Sequence, residues 1–167
     1  MKNIALLVTL IITLLIFWFG NAMTTTPGRS SGNGNPAIIL FIPLFILFIV
    51  LVFQWFKVFR HKRISIKTIL ILSIVAICHQ VIGIYYQMIS FRNYRDFLAE
   101  VYEGQFGEVD WQYIHSITSG LSIHINNQFF NLNTYLLFLN LSLLVWLLSR
   151  LILAWVSKRN RKIQSER

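Results

Sequence analysis

The 167-residue chain holds a single cysteine and six acidic residues, and each scarcity removes a class of chemistry. Cys78 alone excludes an intramolecular disulfide and a thiolate metal cluster, and leaves the redox compartment open. No HExxH pair, nucleophile elbow or glycine-rich phosphate loop occurs. No internal repeat of useful length is visible, so the inverted-repeat pattern of many transporters is missing. No Asp, Glu or Lys falls inside any of the long apolar runs, which argues against the buried carboxylate chains of membrane proton relays. No catalytic residue, cofactor or metal is therefore expected, and the chain reads as a non-enzyme.

What the chain has in abundance is apolar length. Hydrophobic residues make up 56% of it and the mean hydropathy is +0.62. Four runs, Ile4 to Phe19, Ala37 to Phe56, Ile69 to Ile89 and Leu136 to Val156, have the roughly 17 to 25 residues that cross a hydrocarbon core as helix. The predicted fold is an all-α membrane protein with four transmembrane helices over residues 4–20, 37–56, 69–90 and 135–156, forming one integral domain over 1–167. Loops cover 21–35, 57–68 and 91–133, and a tail covers 157–167. No segment is long enough to build a second core.

The formal charge of +9 would suggest nucleic acid in a soluble protein. Its distribution suggests topology instead. Lys57, Arg60, Lys62, Arg63 and Lys67 lie between spans two and three, and Lys158, Arg159, Arg161, Lys162 and Arg167 follow span four. With Lys2 and Arg150 these make twelve of the fifteen basic residues; only Arg29, Arg92 and Arg95 fall elsewhere. Asp96, Glu100, Glu103, Glu108 and Asp110 all fall in the 91–133 loop. The positive-inside rule then predicts a multi-pass protein of the cell membrane with both termini, the 57–68 loop and the tail in the cytoplasm, and 21–35 and 91–133 outside. Trp55 and Trp155 at the inner span ends, and Trp18, Tyr85, Tyr86 and Tyr135 at the outer ones, fit that register. Gly20-Asn21-Ala22 resembles a signal-peptide cleavage site, but the run is long for a signal and bulky Phe17, Trp18 and Phe19 precede the site, which favours an anchor.

Residues 21–35, rich in Thr, Ser, Gly and Asn, read as a flexible connector. Asn35 and Pro36 form a helix start, and Pro43 predicts a kink in span two. In the second outer loop Phe91, Tyr94, Phe97, Leu98, Val101 and Tyr102 recur at helical spacing and predict an amphipathic helix continuing or turning from span three, ended by Gly104 and Gly107. Asp110 is placed to cap a short helix finishing near Gly120. The alternation of Leu121, Ile123 and Ile125 with polar residues predicts an extended segment lying on the bundle.

The polar residues within the spans are the candidates for function. Ser73, Ala76, Gln80, Gly83, Gln87 and Ser90 are spaced 3, 4, 3, 4 and 3 and share one helix face, which must point at protein because amides facing lipid are costly. His79 stands beside that face at mid-depth, with Asn140 of span four among its few polar neighbours, and is expected to be neutral and hydrogen-bonded. The candidate seam is thus Ser73, His79, Gln80, Gly83, Gln87 and Asn140. Ala5, Thr9 and Thr13, and Ser142 and Ser149, read as packing faces. Glu108, Asp110, His115 and His124 can each ligate a metal, but their spacing matches no known site.

Two functions lead, and a third, an intramembrane or external-face enzyme, would need two or more of Glu108, Asp110, His115 and His124 clustered within metal-ligand reach. One is an accessory, assembly or sensory membrane protein whose partners are the bilayer, anionic headgroups at the basic segments, and another membrane protein or a second copy. The other is a subunit of a small oligomeric transporter or channel, with a polar path along helix three. A site where His79, Gln80 and Gln87 converge with Asn140 on one cavity favours transport; dry or lipid-facing placement disfavours it.

Overall fold

A computed structural model describes residues 2–28 and 35–165. Met1, residues 166–167, and residues 29–34 of the first loop, including Arg29, lie outside the described residues. Every regular element described is helical. Helix α1 spans Lys2–Ala22, a 3-10 turn Pro36–Leu40 leads into α2 (Phe41–Phe59), and α3 runs Ile66–Phe106. Two short helices follow, α4 (Trp111–Thr118) and α5 (Ile125–Phe129), before α6 (Leu132–Ser165).

Four of these helices are long and apolar enough to cross a membrane, and only 17% to 22% of the most apolar window in each is buried within the protein. Side chains such as Ile82 and Met88 therefore face outward, as the bundle's apolar exterior requires. Helix α1 buries a single narrow stripe, Thr9, Thr13, Phe17 and Gly20, at the four- and three-residue steps of one helix face. Helix α6 is the central element, packed by α3 along one flank and by α2 along another.

Local sequence sets the ends. The Asn35 side chain accepts from the Ala37 amide at 2.9 Å, with Pro36 at the first position. Pro43 lies in the first turn of α2, directly after the 3-10 segment, where the winding changes from 3-10 to α. Ser65 caps α3 through the Thr68 amide at 3.1 Å. Gly107, at φ 82°, ends that helix in the left-handed region that glycine enters freely. Gly104 does not interrupt it.

The amphipathic segment after span three continues the helix rather than turning from it. Over 41 residues α3 is about 60 Å long at 1.5 Å per residue, twice the roughly 30 Å of a hydrocarbon core. Asp110 caps α4 as its sequence suggests, accepting from Tyr113 N at 2.9 Å. Helix α4 folds back so that Ile114 packs with Leu98, Ala99 and Tyr102. The extended segment expected after Gly120 is a correction: the chain turns and forms α5, because Ile125, Asn126 and Phe130 are drawn into the end of the bundle.

Phe130 is the plug. Fully buried, it meets Phe17 of α1 at 5.9 Å and Phe41 of α2 at 5.4 Å between ring centroids. A β-carbon at Gly20 would overlap its ring. Gly20→Val is expected to lower stability by about 1–3 kcal/mol through overpacking, read as the midpoint of reversible unfolding in mixed micelles. A smaller ring-site residue, Phe130→Leu, is expected to recover part of that loss in the double variant.

Candidate functional site

The polar seam of α3 is answered, residue by residue, from α6. Asn140 donates through Nδ2 to the Ala76 carbonyl at 2.8 Å and to Gln80 Oε1 at 2.8 Å. Asn133 makes the same pair one heptad away, to the Gly83 carbonyl and to Gln87 Oε1, both at 3.0 Å. The spacings match on both helices: seven residues separate Asn133 from Asn140, Ala76 from Gly83, and Gln80 from Gln87. An antiparallel pair with this repeat keeps one face in contact over two heptads. Each asparagine therefore clamps one backbone carbonyl and one glutamine, and the small residues Ala76 and Gly83 bring the backbones close enough for it. A β-carbon on Gly83 would lie 2.5 Å from Leu137 Cδ2.

Below the clamps Ser73 is buried and donates to the Ile69 carbonyl at 2.8 Å, which consumes its hydroxyl within its own helix. Above them Gln87 turns its Nε2 to the Gln128 carbonyl at 3.1 Å, tying the seam to the loop. Ser90 is exposed and takes no part. His79 differs from expectation. It is exposed, with no hydrogen bond to it among the described residues, because it precedes Gln80 by one residue and so stands about 100° round the helix from it, at the edge of the face that meets α6.

The seam residues also do not all converge on one cavity. His79 and Asn140 line an apolar cleft of about 350 Å³ beside Phe59 and Trp146. Gln80 borders a different groove, about 650 Å³, walled by Phe41, Phe45, Phe48 and Phe138. Gln87 belongs to a third, near the α3–α6 loop.

A second polar network locks the loop onto the bundle. Asn126, fully buried, donates to the Gly20 carbonyl and accepts from the Asn35 amide. Asn35 also donates to the Ile123 carbonyl at 2.7 Å, and Asn21 donates to the Phe130 carbonyl at 2.7 Å. The first loop is thus no free connector at its described ends, since Thr25 too reaches the Ile123 carbonyl, at 3.2 Å. On α1, Thr9 and Thr13 form the expected packing face, and Gln54 of α2 donates to Thr9 Oγ1 at 2.7 Å. Ser142 receives the Trp55 indole at 3.0 Å, whereas Ser149 only bonds back to its own helix.

The potential metal ligands are dispersed. Among the described residues no three of His, Cys, Asp and Glu come together in a way that could hold a metal ion. Asp110 is used as a cap, Glu108 and His115 are exposed, and His124 is buried with Nδ1 2.8 Å from the Tyr94 hydroxyl. Burial pushes the His124 imidazole below its ordinary value. It also raises the Tyr94 hydroxyl to about 12, against the opposing pull of the Asn127 side chain.

Sequence reasoning missed Asn133, Asn126 and the Tyr94–His124 pair. For Asn133 a signal existed, its seven-residue distance from Asn140 mirrored on α3. The other contacts join residues up to 106 apart in the chain and leave no local pattern.

Asn140→Leu and Asn133→Leu are each expected to cost about 1 kcal/mol, near the size of measured intramembrane side-chain hydrogen bonds. Their effects should add, since the two clamps share no atom; SDS-titration unfolding of the single and double variants reads this. For His124 the folded value lies below the unfolded one, so its stabilising effect is complete above about pH 6.5 and is lost as pH falls through the lowered folded value. The thermal midpoint is expected to drop on acidification below that pH, and His124→Gln to flatten that part of the profile. No protein-family model, curated protein or solved structure matches this chain, so the reading of its function rests on the geometry above.

Proposed function

We propose that the chain is a non-enzymatic accessory protein of the cell membrane, of assembly or sensory type, which presents a folded loop domain outside the cell and keeps both termini inside. The observation that carries this reading is the double asparagine clamp. It spends the amides of Gln80 and Gln87 on holding α3 to α6, and it leaves His79, Gln80 and Gln87 on separate clefts rather than along one path. A transport subunit needs those groups turned toward a shared aqueous route.

The loop domain has the features of a contact surface. Helix α4 stiffens the outer part of α3, and Phe97, Phe106, Trp111 and Leu121 remain exposed on it. Exposed aromatic residues on a rigid support fit the core of a protein–protein contact. The orientation rests on the distribution of basic residues, and the bonds from Gly20 and Asn21 to the loop favour retention of α1 as an anchor.

Two measurements test the proposal. In a Cys78→Ser background, Leu121→Cys is expected to react with an impermeant maleimide from outside whole cells and Lys62→Cys only after lysis; the opposite pattern would reverse the topology. Leu121 is the suitable probe because it is exposed while Asn126 is buried. Purification in mild detergent is expected to retain a stoichiometric membrane-protein partner that Phe106→Asp with Trp111→Asp releases, while proteoliposomes of the chain carry no flux. A pH-dependent flux abolished by His79→Leu would establish the transporter reading in its place.

A further inference from the structure

We infer that the cleft between the loop-side ends of α3 and α6 binds one anionic glycerophospholipid from the adjacent leaflet. The inference rests on the reading of the chain as membrane-spanning, not on which side is outside. The cleft measures about 620 Å³ and is lined at one end by Ile84, Met88 and Leu137 and at the other by Arg92, Arg95 and Gln128. From Ile84 to Arg95 is about 16 Å along the helix at 1.5 Å per residue. Its apolar end lies within the predicted span and its cationic end just beyond it, at the depth of headgroups, so the polarity of the cleft runs parallel to that of a lipid.

Its arginines are not explained by topology. Arg92 and Arg95 stand apart from the basic clusters, which lie at the opposite end of the bundle. Nor is Arg95 occupied by one of the loop's carboxylates. Its Nε donates to Thr118 Oγ1 at 2.9 Å and its Nη2 to the Thr118 carbonyl at 3.5 Å, with the guanidinium carbon 4.9 Å from the centre of the Phe91 ring. The guanidinium is held in place by α4 with N–H groups to spare, and a planar fork of this kind suits phosphate oxygens. Gln128 also lines the cleft. A free phosphate would satisfy the arginines but leave the apolar end uncovered.

The test uses the full chain in an uncharged maltoside detergent, titrated with dioleoyl phosphatidylglycerol, dioleoyl phosphatidylcholine or inorganic phosphate. Bound lipid is counted by native mass spectrometry and the thermal midpoint is followed in parallel. Phosphatidylglycerol is expected to be retained by the wild type and to raise the midpoint above that with phosphatidylcholine, while phosphate has no effect. Arg92→Gln with Arg95→Gln should weaken that retention at least about tenfold, the size of one lost charge-assisted hydrogen bond. Because Arg95→Gln also releases Thr118, Met88→Trp serves as an independent variant that fills the apolar end and leaves both guanidiniums intact; it too should reduce retention.

Equal binding of the two lipids would overturn the inference. So would stabilisation by phosphate alone, or retention lost in Arg150→Gln with Lys158→Gln but kept in the arginine pair and in Met88→Trp. Release of the chain from membranes by alkaline carbonate would instead remove the membrane-spanning reading, and this site with it.

Discussion

The antiparallel register of α3 against α6 is the constraint on which the rest of the molecule depends, and two asparagines set it. An apolar helix pair in a bilayer gains little from hydrophobic burial, because lipid is as apolar as the neighbouring helix. Register must come from groups that cannot be left unpaired. A slip by one residue would remove Asn140 from the Ala76 carbonyl and Asn133 from the Gly83 carbonyl together, leaving four amide groups unsatisfied in a medium without water. The register then places Gln87 under α5 and brings Phe130 to Gly20, so that the loop closes on α1 and α2.

The two ends of the bundle are organised differently. Toward the loop, Asn35 and Asn126 join α1, the 3-10 turn and α5 through side chains and backbone carbonyls, with an aromatic cluster of Phe17, Phe41 and Phe130 beneath. At the opposite end Trp146 stacks on Phe59 at 4.6 Å, Trp55 reaches Ser142, and Arg150, Lys158 and Arg161 border a cleft at the surface. Polar contacts specify geometry where the chain must fold a loop, and aromatic stacking with basic residues suffices where it meets headgroups.

Much of this was legible in the residues. Run length located the four long helices, and the three–four spacing of Ser73, Ala76, Gln80, Gly83 and Gln87 located the contact face, because both depend only on local periodicity. Asp110 and Asn35 were readable as caps for the same reason. Asn133 was obscured by its position at the edge of a polar segment, where an asparagine carries no special weight. The side on which His79 lies turned on a single residue of helical phase. Helix α5 had no local signal at all: only the end of the alternating stretch, Ile125 and Asn126, became helical, where both are buried by contacts from α1 and the 3-10 turn, and tertiary burial outweighs so short a pattern.

The dependence of α3 on α6 also has a consequence in time. α1 and α2 are adjacent in sequence and can pair as soon as both are made, whereas α3 is finished before the first residue of α6 exists. Throughout that interval Gln80 and Gln87 are without their asparagines. The contact between α3 and α6 can therefore close only once α6 has been made, after α1 and α2 are already free to pair.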